Sequence, residues 1–454
     1  MAECARCHRQ PNKDEPTPLL CRCNEVEIWE KHDRHRMAHQ VLLGERARHM
    51  GKSLGIPDVS ADERCLSCHG VVIKDERLRH RSFSPDRAVR EGVTCVVCHG
   101  AYKDWIDLHG GIDRETWRTL SRSKKESDYG MTDLWNPVRR ASLCLSCHVG
   151  APAEGKVVTH AMYAAGHPPL RAFEVATASD RMPRHWQYLQ EKPPQVRAML
   201  QVPEAFVRLE RTHLLLVSSL VAYRQSQELL ILFTDPEASA ASAHQVSWPE
   251  FSQFQCTSCH RQLPADSWQS LPSGGYPTGR PPWNSLHARL IVPFFQPARE
   301  PQAGLERAFR VRTLGDRQSI LHQARLNKDW ADTMLTDVAG TLPDRRAQLS
   351  VIHRLVAFGT DATHDFDGAR QLVWSLRVIL SDFDTKPRSP EFEDILVQLD
   401  SALLLSPLHS DPGILDQPPD TRLRAIYEAE QRFDPKTFRS TVKAIKRLLP
   451  GPSP

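Results

Sequence analysis

Five pentapeptides in this 454-residue chain set two thiols and an imidazole within five consecutive positions. They are Cys4-Ala5-Arg6-Cys7-His8, Cys65-Leu66-Ser67-Cys68-His69, Cys95-Val96-Val97-Cys98-His99, Cys144-Leu145-Ser146-Cys147-His148 and Cys256-Thr257-Ser258-Cys259-His260. Chance at this composition yields about 0.015 such sequences in the whole chain. Two residues between the thiols let the backbone curl until both sulfurs reach one edge of a flat macrocycle, with the adjacent His carried under its centre. That is the attachment signature of c-type haem: the thiols add across two vinyl groups and the His becomes an axial iron ligand. A structural zinc site would need a second ligand pair at matching spacing, and no His directly after each pair. A redox dithiol is expected once, near a βαβ pattern, and none surrounds these copies. The sequence therefore predicts five covalently bound haems c. Cys4, Cys7, Cys65, Cys68, Cys95, Cys98, Cys144, Cys147, Cys256 and Cys259 hold them, and His8, His69, His99, His148 and His260 ligate iron.

Each iron has a sixth position to fill. Sixteen further His stand against eight Met, so bis-histidine ligation is expected. It implies potentials below those of His/Met haems and leaves no iron position for a substrate. The candidates are His35, clustered with His32 and His39 after Trp29 on an expected helix, and His109, close after Trp105. His160 and His167 bracket Met162-Tyr163-Ala164-Ala165-Gly166, and His287 lies downstream of the fifth motif. His322, His353, His364 and His409 read as ordinary surface or core residues, and His213 stays open. Two cysteines fall outside the motifs. Cys21 and Cys23 sit too close together for an easy mutual disulfide, so a local role or free thiols are expected ahead of a degenerate sixth haem site.

The elements that must carry these groups follow two rules. Up to about residue 300 the chain is dense in Cys, His, Pro and Gly, with a helix-like insertion at about 196–232. Ordering so much irregular backbone costs entropy that its side chains alone would struggle to offset, so this region is expected to need haem to fold. From about 301 to 454 Cys is absent and helical periodicity takes over. Leu372, Leu376, Ile379, Leu380 and Phe383 share one face. Ser389-Pro390 reads as a helix start before Phe392, Leu396, Leu399 and Leu403. Asp434-Pro435 repeats that signal before Phe438, Val442 and Ile445, with Lys443, Lys446 and Arg447 toward the C-terminal end. The expected organisation is a pentahaem domain over 1–300 and a haem-free helical domain over 301–454, with Pro297–Gly304 as the boundary.

One ordered set of residues carries a resemblance. Trp29…His35, Glu91-Gly92-Val93-Thr94-Cys95-Val96-Val97-Cys98-His99-Gly100, Trp105…His109 and His160…Ala164-Ala165-Gly166-His167-Pro168 resemble the cytochrome c-554 family over residues 4–290. These are multihaem electron carriers related in haem arrangement to hydroxylamine oxidoreductase and pentahaem nitrite reductase. The resemblance implies a mainly α fold, with short helices and loops wrapped around stacked haems. It also implies His35, His109 and His167 as distal ligands. The fifth motif and the C-terminal region have no counterpart in the four-haem type member.

The leading function is electron transfer between exported redox partner proteins. The alternatives are an oxidoreductase acting on a small nitrogen species (hydroxylamine, nitric oxide or nitrite) at one five-coordinate haem, and an electron-transfer subunit of a larger respiratory assembly. For the enzyme, Tyr163, Arg171, Arg181, Arg184 and His185 are the residues that would surround an open iron. A formal net charge of +4 argues for no nucleic-acid partner. The mean hydropathy of −0.46 fits an interior partly supplied by porphyrin. Leu214–Phe233, the most apolar run, is interrupted by Arg224, Gln225, Gln227 and Glu228, so no transmembrane segment is expected. Haem attachment follows export, which points to the periplasm or another exported location. No basic and apolar signal precedes Cys4, so an export signal is expected to have been removed or to lie upstream of the recorded start.

Overall fold

The computed structural model describes residues 2–9, 22–72, 90–111, 114–200, 202–244, 246–260, 276–277, 279–341, 345–361, 364–382, 390–403 and 419–449. The fold is mainly α. Among the described residues there is no strand, only the isolated bridges Ala151–Lys156 and Phe254–Trp283. The chain forms two compact units, Met1–His167 with Met182–Glu210, and Pro168–Arg181 with Arg211–Pro454. The first four motifs fall in the first unit and the fifth in the second. The expected division near residue 300 concerns cofactor content, whereas these units concern packing. Pro301 and Gly304 lie inside the helix Arg299–Arg310.

In the first unit, short helices end where the motifs need the chain to turn. The motif helix Glu63–His69 starts at Asp62, whose carboxylate accepts the Arg64 N–H at 2.9 Å. The helix Pro137–His148 starts at Asn136, which accepts from Val138 and Arg139 N–H, with Pro137 at the first helical position. Helix Cys95–His99 stops at Gly100, whose φ of +85° puts it where an added Cβ would strike the Gly130 carbonyl. Gly92, at φ +71°, comes so near the next segment that a Cβ would sit 2.8 Å from the His35 carbonyl oxygen. That approach lets Val93 N–H donate to His35 O at 3.0 Å, and Trp29 Nε1 to Val93 O at 3.1 Å. Apolar packing here comes in small clusters, Ala47 with Ile56 and Val59, and Tyr102 with Trp105 and Trp117.

Two helical expectations break at identifiable residues. The single helix expected to carry His32, His35 and His39 ends at His32. Asp33 is extended, at φ −83° and ψ 126°, and its carboxylate caps a 3₁₀ turn, Arg34–Met37. The segment at 196–232 is three helices, Pro194–Met199, Glu204–Arg208 and Glu210–Thr234. Pro203 caps the second of them, because proline cannot supply the N–H a continuous helix needs.

The second unit is a conventional helical core. Glu210–Thr234 buries most of its length. On the helix Phe366–Asp382, Leu372, Leu376 and Ile379 are at most 1% exposed. Fully burying each is worth about 1.5–3 kcal/mol. Phe392, Leu396 and Leu399 are buried on Pro390–Ala402, and Phe438, Val442 and Ile445 on Pro435–Leu448. Asp434 caps the last of these through Lys436 and Thr437 N–H. Phe383 and Ser389 lie outside the described residues. His213 is a core residue, with Nε2 on the Val338 carbonyl at 2.9 Å, and His364 likewise contacts the Phe358 carbonyl. Among the described residues, no helix is long and apolar enough to cross a membrane.

Candidate haem centres

Three motif histidines of the first unit each face a second imidazole. His8 lies parallel to His109, with ring centroids 6.0 Å apart and 7° between planes. His69 faces His167 at 6.4 Å and 82°, and His99 faces His185 at 6.4 Å and 61°. Two imidazoles bonded to one metal at about 2.0 Å each bring their centroids about 6 Å apart. The three separations fit a shared iron. The fourth motif histidine, His148, lies within the field of His35.

The second ring nitrogens fit the same purpose. His8 Nδ1 meets Glu25 Oε2 at 2.8 Å, His69 Nδ1 the Ala38 carbonyl at 2.8 Å, and His35 Nδ1 Asp33 Oδ1 at 2.9 Å. An Nδ1–H given to an oxygen leaves the Nε2 lone pair as the donor to a metal. The Glu25 carboxylate raises the His8 pKa through that hydrogen bond, and for His35 the Asp33 carboxylate outweighs burial with the same result. Burial instead lowers His99, His109 and His148 to about 4, and lowers His69 and His185. Those rings are neutral at pH 7, the form that ligates. Nδ1 of His109 and of His185 is buried without a hydrogen-bond partner, the condition of a group that awaits another atom.

Local structure explains how the distal rings are held. His109 N–H donates to Trp105 O at 2.8 Å, and its ring meets Trp105 and Trp117 edge-on at 5.6 and 6.0 Å. His167 follows Gly166, at φ +118°, and its N–H reaches Met162 O at 2.9 Å. His185 stands in an irregular stretch beside Trp186, over which Arg140 stacks at 5.0 Å.

The attachment thiols of different motifs also approach one another. Cys4 is hydrogen-bonded to Cys95, and Cys68 to Cys147, while Cys98 lies in the field of Cys144 and Cys147. Four motifs thus form one contiguous series within the first unit.

Residues 3–100 match the family model of cytochrome c554 and c-prime. The match supports a c-type cytochrome in electron transfer, with covalently bound haem. It covers the first three motifs together with His35. No curated protein and no solved structure matches the chain.

The fifth motif has a different setting. Cys256 and Cys259 are exposed on a 3₁₀ turn that ends in His260. Gln255 N–H donates to Pro282 O, and Asn284 N–H to Gln253 O, so 253–255 runs beside 282–284. This pairing carries His287 on the turn that leaves the ladder. Its Nδ1 is buried and unpartnered, and burial lowers its pKa to about 4. Residues 261–275, directly after the motif, lie outside the described residues.

Of the distal candidates, His35, His109 and His167 each lie near a motif histidine. His160 opens the helix His160–Ala164. His185, read from sequence only as a group that would surround an open iron, faces His99 instead. The signal that could have found it is the aromatic beside it, since Trp186 follows His185 as Trp105 precedes His109. Cys23 has φ +58°, and Cys21 lies outside the described residues.

Proposed function

We propose that this c-type cytochrome is a pentahaem electron carrier working between exported redox partner proteins. Three imidazole pairs at 6.0–6.4 Å carry the reading. Haem c, when bound, supplies a one-electron iron couple. His8 with His109, His69 with His167, His99 with His185 and His148 with His35 would hold the irons, each pair leaving no ligand position for a substrate. A closed iron exchanges electrons and binds no substrate. In the second unit His260 and His287 serve the fifth site, with His160 an alternative donor in the first. The ten motif thiols fix the porphyrins, and thiol proximity orders the sites of the first unit as second, fourth, third, first. Residues 1–300 bear the cofactors, and the helical region 301–454 serves as buttress or docking surface.

Electron paramagnetic resonance of the oxidised holoprotein tests this. The expected spectrum is low-spin throughout. A high-spin signal equal to one haem that shifts with nitric oxide would instead make the chain an oxidoreductase acting on a small nitrogen species.

A further inference from the structure

The second unit holds a buried cationic cluster on the helix Phe366–Asp382 and the segment Val175–Arg181. Arg181 and Arg370 both stack on the Trp374 ring, with guanidinium carbons 5.0 and 4.7 Å from its centroid. Arg171 meets two carboxylates through its terminal nitrogens, Asp367 at 3.3 Å and Glu430 at 2.6 Å. Arg370, whose side chain is 5% exposed, has only the other Asp367 oxygen, at 3.6 Å.

Three donors in this cluster, Arg370 Nε, Trp374 Nε1 and Arg171 Nε, are buried with no acceptor. Asp367 Oδ1 is buried there without a donor as well, so one carboxylate oxygen stands against three donors, and a native interior supplies such a surplus of donors with further anionic oxygen. The charges of Arg171, Asp367 and Glu430 all reach the Cys256 thiol. The helix that bears Arg370 begins against Arg289, two residues after His287: Arg289 pairs with Asp365, and its Nη1 lies 2.6 Å from where a Cβ on Gly368 would stand. A porphyrin bonded through its vinyl-derived edge sends its two carboxylates from the opposite edge.

We propose that Arg370 and Arg181, both stacked on Trp374, form the seat for the carboxylates of the porphyrin attached at Cys256 and Cys259. The seat rests on the reading that the fifth motif carries haem. A planar guanidinium pairs with a carboxylate through two parallel hydrogen bonds, and stacking on an indole holds it in orientation.

Spectroelectrochemical titration of the full holoprotein tests the seat, with intact mass as the count of haems. The wave that disappears in Cys256→Ser/Cys259→Ser identifies the fifth haem. In Arg370→Gln that wave is expected to move to lower potential and become more strongly pH-dependent, because a neighbouring cation is lost and the carboxylates become free to titrate. Arg370→Lys is expected to restore the potential in part. Arg181→Gln gives the same expectation should Arg370→Gln fail to fold. An unmoved wave in a five-haem variant overturns the seat, as does an equal shift of every wave. A wild-type wave that moves on adding nitrite assigns the cluster to a free oxyanion and also overturns it. Wild-type mass short by one haem overturns the seat together with the reading beneath it.

Discussion

The rings of His8 and His109 lie within 7° of parallel at a centroid separation of 6.0 Å, although one hundred residues separate them in the chain. His8 is carried by a seven-residue helix with no buried residue, whereas His109 is clasped between Trp105 and Trp117. The distal ring is thus the fixed member of the pair. Replacing it, in His109→Ala, is expected to leave all five thioether attachments intact and to convert one haem equivalent from low-spin to high-spin. Mass spectrometry and electron paramagnetic resonance on one sample read both. His185→Ala should do the same at the third motif, and a wholly low-spin spectrum from either variant would remove that residue from the ligand set.

The Glu25 carboxylate tunes the proximal ring of that first pair. It takes the His8 Nδ1 hydrogen at 2.8 Å, and on the proposed ligation this would make the imidazole a stronger donor and favour ferric iron. Glu25→Gln keeps an acceptor but removes the charge. One wave in the redox titration is expected to rise in potential while the others hold. If none moves, the carboxylate has no influence on the iron.

How much of this was legible in the residues depends on range. The five Cys-x-x-Cys-His motifs are local, since two thiols and an imidazole within five positions need nothing from the rest of the chain. His35, His109 and His167 could be reached because their neighbours resemble a known family. His185 could not, because it sits in an irregular segment and meets His99 through contacts 86 residues distant in sequence. The C-terminal helices were readable from periodicity, as Leu372, Leu376 and Ile379 show. The break at Asp33 was not, because its carboxylate competes with helix by capping the next turn, a choice that periodicity does not register.

Asn136 tests how far a local cap supports a haem site. Its side chain receives two N–H groups at the start of the helix that ends in Cys144–His148. Asn136→Ala is expected to cost about 1 kcal/mol, seen as a lower unfolding midpoint in denaturant. Haem stoichiometry should be unchanged, because the motif lies at the opposite end of that helix. Loss of one haem would show that the cap is needed during attachment as well.

A pH test falls on Asp382 of the second unit, which is not a proposed ligand. Burial pushes the Asp382 carboxyl up to about 6, while its oxygen accepts Thr212 N–H at 2.7 Å and Arg211 stands 3.8 Å away. An acid whose folded value is raised gives its full contribution below the unfolded value near 3.8 and loses it as pH rises through about 6. Ionised Asp382 therefore costs about 3 kcal/mol at pH 8. Asp382→Asn retains an acceptor for Thr212 without the charge. It should raise the midpoint of helix unfolding at pH 8 and leave it nearly unchanged at pH 4. Equal effects at both values would mean that Arg211 already neutralises the carboxylate.

The two units should differ most when haem is withheld. The described residues of the first unit pack through small clusters such as Ala47, Ile56 and Val59, around histidines whose Nδ1 atoms in two cases have no partner. Entropy of about 1–2 kcal/mol per ordered residue has little apolar burial to oppose it there. The second unit has a continuous core that includes Leu220, Phe233, Leu305, Ile320, Leu372 and Val442, all fully buried. Haem-free protein is therefore expected to lose some of its helical circular dichroism and to be cut by protease within residues 2–210, while fragments spanning 211–449 persist. Protection of the first unit in haem-free material would show that its loops are ordered by contacts among side chains and that porphyrin adds no folding energy there.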